Sequence, residues 1–163
     1  MNEQEAVLSL ETVLKRDGEL IRPVVGDSMM PLFDEHRDIV RLIPSSGILR
    51  KHEIPLYRRP DGQYVLHRIL AVRKNYYLIR GDNRTSVEKV PFSWVIAVAS
   101  SCCKDGVWHD LCEPEMRSYA GKVTRFWRIR SFAARVKNFR KRMKVPKKER
   151  KTLSREDRAC ILL

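Results

Sequence analysis

From Leu20 to Leu111 the chain is cut into short apolar runs by turn residues, and this punctuation limits the fold more than any other feature. The runs are Leu20–Val25, Asp38–Ile43, Ile54–Arg58, Tyr64–Val72, Tyr76–Arg80, Trp94–Ser101 and Val107–Leu111. Each has the length of a strand and falls short of a core helix. Pro60-Asp61-Gly62 and Lys104-Asp105-Gly106 read as hairpin turns, because Gly tolerates the positive φ that a tight turn requires. Lys74-Asn75 reads as a third turn. Strands this short and closely spaced predict a mainly β domain, a coiled sandwich or barrel, over residues 19–116. Ahead of it, Ala6, Val7, Leu10, Val13 and Leu14 fall at helical spacing. They predict an N-terminal helix within residues 1–18, closed by Asp17-Gly18.

Charge divides the chain a second time. Residues 1–116 hold 16 Lys and Arg against 17 Asp and Glu, whereas residues 117–163 hold 17 against 3. The formal net charge of +13 therefore belongs to the last third, and the β-domain is balanced. Over 117–146, Val123, Phe126, Trp127, Ile129, Phe132, Ala133, Val136, Phe139 and Met143 recur at helical spacing among Arg and Lys. That pattern predicts a basic amphipathic helix ending at Pro146, and the charged remainder, 147–163, is expected to be disordered. Arg125, Phe126, Trp127, Arg128, Arg130, Phe132 and Phe139 are the candidate contacts with an anionic membrane. Nucleic acid is the less favoured partner, and docking of the stripe on the β-domain is the plain alternative.

No uncharged apolar run reaches about 18 residues, and the acidic N-terminus lacks the pattern of an export signal. The expected location is the cytoplasm, with peripheral contact at the inner face of the membrane through the tail. Cys102, Cys103, Cys112 and Cys160 lack the spacing of a zinc site. They are expected to be ordinary buried thiols.

One loop carries chemistry. Gly26-Asp27-Ser28-Met29-Met30-Pro31 follows the Leu20–Val25 run directly. A Ser at a rigid strand end exposes its hydroxyl, and the backbone N–H groups of Gly26, Asp27 and Ser28 can serve an oxyanion. Pro31 suits the first turn of a short helix. His36, His52 and His109 stand near turns or charged residues and are expected at the surface.

Gly26–Pro31, Arg37-Asp38-Ile39-Val40-Arg41-Leu42, Tyr64-Val65-Leu66-His67-Arg68-Ile69 and Leu78-Ile79-Arg80-Gly81-Asp82-Asn83-Arg84 occur in that order. Together they resemble the motif set of the signal peptidase I superfamily, which includes the self-cleaving SOS-type repressors. The resemblance covers roughly residues 20–100. It implies a signal-peptidase-like or repressor-like coiled β-sandwich in which Ser28 is the nucleophile and His67 the base. Bacterial signal peptidases carry Lys at the base position, so His67-Arg68 is similar to the endoplasmic-reticulum and archaeal branch. The change is chemically coherent, because His titrates near 6.5 and is mostly neutral at pH 7 without help. Its other ring nitrogen then needs a partner, and the resemblance offers Asp82 or, six positions on, Glu88.

Met29, Met30 and Leu32 would line the substrate groove or else pack. The implied activity is serine endopeptidase cleavage of a leader or signal-like peptide after small residues, with no cofactor and no metal. The alternative is a non-catalytic regulator or scaffold of the same fold, holding an anionic membrane or nucleic acid through its tail.

Overall fold

The computed structural model describes residues 9–126. Helix α1 (Leu10–Asp17) starts at Ser9, whose hydroxyl accepts the Thr12 N–H, and stops at Gly18 with φ 73°. An N-terminal hydroxyl cap and a left-handed glycine exit are the usual answers to a helix's unpaired end groups. Leu14 is buried, with Leu10 and Val13 packed beside it. Ala6 and Val7 of the expected stripe lie outside the described residues.

Strands follow in the order β1 (Leu20–Pro23), β2 (Ile39–Pro44), β3 (Pro55–Arg58), β4 (Tyr64–Leu66) and β5 (Arg68–Val72). Then come β6 (Tyr76–Arg80), β7 (Glu88–Pro91), β8 (Val95–Lys104) and β9 (Val107–Asp110). One sheet has the order β1-β2-β8-β3-β4, with β9 also on β8, and a second has the order β5-β6-β7. Every pairing among them is antiparallel. The domain is mainly β with two helices, a curled antiparallel sheet and a half-barrel. In the β8–β9 hairpin, Asp105 and Gly106 both take positive φ, 48° and 83°, as a two-residue hairpin turn requires.

Among the described residues two apolar clusters form the core, and the central strands serve both. Leu56 of β3 belongs to the first cluster and its neighbour Tyr57 to the second. Ala97 and Ala99 of β8 face the first, while Val95 and Val98 pack on the second. Strands covered on both faces need continuous apolar runs, which is how Ile54–Tyr57 and Val95–Ala99 read.

Four expectations need correction. The Tyr64–Val72 run is not one strand. It breaks at His67, where the chain leaves β4 in the first sheet and enters β5 in the second. Strand β7 was not anticipated, because Glu88-Lys89-Val90-Pro91 offers a single fully buried apolar residue, Val90. Pro31 opens no helix. The Met30–Pro31 peptide is cis, and residues 28–33 form successive turns in which the Leu32 and Phe33 N–H groups bond the Met29 carbonyl. Finally, the expected boundary at 116 falls inside a helix that occupies 114–126. Pro114 stands in its first turn, where a missing N–H costs nothing. Met116 and Tyr119 pack on the first cluster and Ala120 is buried, so this opening part of the basic segment belongs to the β-domain.

Arg125 and Phe126 are exposed, while Trp127, Arg128, Arg130, Phe132 and Phe139 lie outside the described residues. Among the described residues no helix is long and apolar enough to cross a membrane. Cys102 is buried as expected, Cys103 is half-buried and Cys112 is exposed. Cys160 lies outside the described residues.

Candidate active site

Three of the four motif segments converge on Gly81, in the loop after β6. A Cβ built on Gly81 would lie 2.5 Å from the Ser28 carbonyl oxygen, 3.0 Å from His67 Nε2 and 3.1 Å from Arg84 Cγ. Only glycine lets the Ser28 loop and the His67 ring approach the same point. The neighbouring residues fasten the contact. The Asn83 N–H donates to the Ser28 carbonyl at 2.9 Å, and Asn83 Nδ2 donates to the Asp27 carbonyl at 3.2 Å. Arg84 holds the Asp27 carboxylate, keeping it below the usual carboxylate range. Asp27 therefore ties the two loops together, leaving only its N–H for an oxyanion. Gly26 has φ 84°, and its own N–H donates to Glu35 at 2.8 Å. It is thereby removed from the expected set of oxyanion donors.

Replacing Gly81 by Ala should push these loops apart, because the Ser28 carbonyl is backbone and cannot swing aside. The expected loss is about 1–3 kcal/mol of stability, the usual range for overpacking. Reactivity at Ser28 should fall with it. Thermal unfolding and labelling with a serine-directed reagent check both, and an unperturbed Gly81→Ala variant would contradict the close approach.

His67 owes its place to the break between β4 and β5. Its N–H bonds the Pro55 carbonyl on β3, and the residue is 7% exposed. Nε2 faces Gly81, and Nδ1 faces Tyr57 Oη at 3.3 Å. Burial pushes the imidazole down to about 4, with the Glu88 charge opposing the change and Arg59 and Arg84 adding to it. His67 is consequently neutral at pH 7, the state a proton acceptor needs. Ser28 is half-buried, and among the described residues no hydrogen bond joins its hydroxyl to His67. The pair is apposed through Gly81, a looseness common in sites without substrate.

The two acids proposed beside His67 take different positions. Asp82 faces Arg68, which donates from Nε at 2.9 Å and from Nη2 at 2.7 Å. Both side chains are almost fully buried, and Arg68 Nη1 donates to the His52 carbonyl at 3.0 Å. Asp82 is thus committed to Arg68, and its influence on His67 is that of a nearby charge. Glu88, on β7, lies 4.0 Å from His67 Nδ1. It accepts from Tyr57 Oη at 3.0 Å and forms an ion pair with Arg59, so β7 is tied to β3 beside the imidazole. Tyr57 and Arg59 were not singled out by the sequence. Tyr57 read as one apolar residue in a buried strand.

Met29 and Leu32 do not line a groove at Ser28: they are 2% and 5% exposed and belong to the first core cluster. The alternating turns send Met29 inward and leave Met30, at 37%, facing outward. A cavity of about 1000 Å³ opens elsewhere, between the 44–54 segment, β9 and the start of the 114–126 helix. Its lining reaches Arg68 and Leu32 and does not include Ser28, His67 or Glu88. His36 is exposed as expected, whereas His52 and His109 are half-buried against this cavity. Comparison of the chain with protein-family models, with curated proteins and with solved structures finds no match in any of the three.

Proposed function

We propose that this chain is a serine endopeptidase with a signal-peptidase-like fold, in which Ser28 is the nucleophile, His67 the base and Glu88 the acid behind the base. The observation that carries this reading is the apposition at Gly81 of the Ser28 loop and Nε2 of a buried, neutral histidine. The motif resemblance supports it independently, since it named Ser28, His67 and the Gly81–Asn83 loop from sequence. Ser28 Oγ attacks the carbonyl of an extended peptide while His67 Nε2 takes the hydroxyl proton. The tetrahedral oxyanion is received by backbone N–H groups of the 27–28 turn. His67 then returns the proton to the leaving amine, and water hydrolyses the acyl-enzyme by the same route. The substrate class, a leader or signal-like segment cut after small residues, follows from the resemblance.

The pH dependence tests the assignment of the base. An ordinary histidine would give a rate that rises through about 6.5. Burial lowers that midpoint, so acylation of Ser28 should be level from pH 6 to 8 and fall only toward pH 4. Stability moves in the same direction. Between pH 6.5 and about 4 the unfolded chain binds a proton that folded His67 refuses, so stability declines by roughly 3 kcal/mol as pH falls through that window. Fluorophosphonate acylation rates, read beside circular dichroism to exclude unfolding, measure the profile. A midpoint at or above 6.5 would contradict the buried base.

A further inference from the structure

Among the described residues, the phenol of Tyr57 is the hydrogen-bond partner of His67 Nδ1. Tyr57 is wholly buried on β3, at a register shift between Leu56 and Tyr57 in the β3–β8 pairing. Its oxygen stands between two groups, Glu88 Oε2 at 3.0 Å and His67 Nδ1 at 3.3 Å. A hydroxyl has one proton to give. The Glu88 carboxylate, ion-paired with Arg59, can only accept, so the Tyr57 proton is directed to Glu88. The oxygen that remains can only accept from His67, which requires the proton of the neutral ring to sit on Nδ1. Nε2, facing Gly81 and the Ser28 loop, is then left with its lone pair.

We infer that Tyr57 is a positioning residue that relays the Glu88 charge to His67 and fixes the imidazole in the tautomer with Nε2 free. This rests on the peptidase reading for its purpose, though not for its geometry. Direct contact does not do the job, because Glu88 Oε1 is 4.0 Å from Nδ1, outside hydrogen-bond range. When Nε2 takes the Ser28 proton, the new positive charge lies on a ring whose Nδ1–H already points along the chain to Glu88. Tyr57 itself stays protonated, since burial and the Glu88 charge push its phenol upward. The charges around the ring are Glu88 and Arg59, Arg84 on the Gly81 loop, and Asp82 beside Arg68.

Histidine-selective ¹⁵N labelling of the full chain tests the tautomer. Long-range proton–nitrogen spectra at pH 7 should show His67 Nδ1 as the protonated, pyrrole-type nitrogen and Nε2 as the bare, pyridine-type one. In Tyr57→Phe, which keeps the ring and loses the oxygen, the two resonances should move toward each other as the tautomers mix. The acylation rate of Ser28 should fall by about 10–100-fold, the scale of loss seen when the hydrogen-bond partner that orients a metal-bound histidine is removed. Wild-type spectra with the proton on Nε2 would overturn the inference without any variant, as would a Tyr57→Phe protein that retains the wild-type pattern. If the tautomer is as stated and Ser28 never reacts, the relay stands and the peptidase reading falls. If Ser28 reacts and the ring proton stays on Nδ1 in Tyr57→Phe as in the wild type, the relay falls and the peptidase reading stands.

Discussion

Ser28→Ala is expected to lower the kcat/KM of peptide cleavage by about 10⁴–10⁶, and His67→Ala by a similar factor. The double variant should be hardly worse than either single one. A nucleophile and its base act as a unit, so removing one leaves the other with nothing to do. Additive losses would instead mean that the two residues contribute separately, for example through folding. Peptides drawn from a random-sequence library, with products read by mass spectrometry, supply the substrate for these rates. Both variants should keep the fold. Ser28 is half-buried without a side-chain hydrogen bond among the described residues, and removing the His67 ring leaves a pocket bounded by Tyr57 and Gly81.

Asp82→Asn is expected to act on stability, lowering it by about 3–5 kcal/mol, because it strands the buried Arg68 guanidinium without its counter-charge. Against the 5–15 kcal/mol of a typical domain, that loss brings the chain close to unfolding at moderate urea. Glu88→Gln should do the opposite: a small change in urea midpoint, since its side chain is 29% exposed, and a marked fall in Ser28 acylation. The contrast separates the two carboxylates by role. A stable but unreactive Asp82→Asn, beside a reactive Glu88→Gln, would return the third catalytic position to Asp82.

The His67-Arg68 and Gly81-Asp82 pairs show what the sequence could and could not carry. His67 lies at the break between β4 and β5 while Arg68 opens β5, and the two adjacent side chains meet different partners. His67 is directed to the Gly81 surface and Arg68 to its buried partner Asp82. The motif order made all four residues visible, yet nothing in it said that Asp82 belonged to Arg68. That assignment depends on the sheet change at His67, and Tyr64–Val72 contains no Gly or Pro to announce one. Glu88 entered only as one of two alternatives for a related reason. Strand β7, which presents it, has too few apolar residues to read as a strand.

The turns, by contrast, were plain. Gly18, Gly62 and Gly106 all take positive φ where the punctuation placed them. Tyr57 was hidden because a buried phenol looks like any core aromatic until its oxygen is located. Its oxygen lies 3.3 Å from His67 Nδ1, on a residue that stands at a register shift in the β3–β8 pairing, and no local pattern encodes either. Met29 and Leu32 misled for the converse reason. Apolar residues beside a nucleophile suggest a groove, but the turns at 28–33 bury them in the core.

Every functional role proposed above depends on Ser28 being a nucleophile activated by His67. Peptide mass spectrometry after treatment of the full-length protein with a fluorophosphonate at pH 7 tests it most directly. One covalent adduct is expected, on Ser28, absent from Ser28→Ala and slowed at least about 10³-fold in folded His67→Ala. An adduct on a different residue, labelling of Ser28→Ala at the wild-type rate, or no adduct on the folded wild-type protein would contradict it.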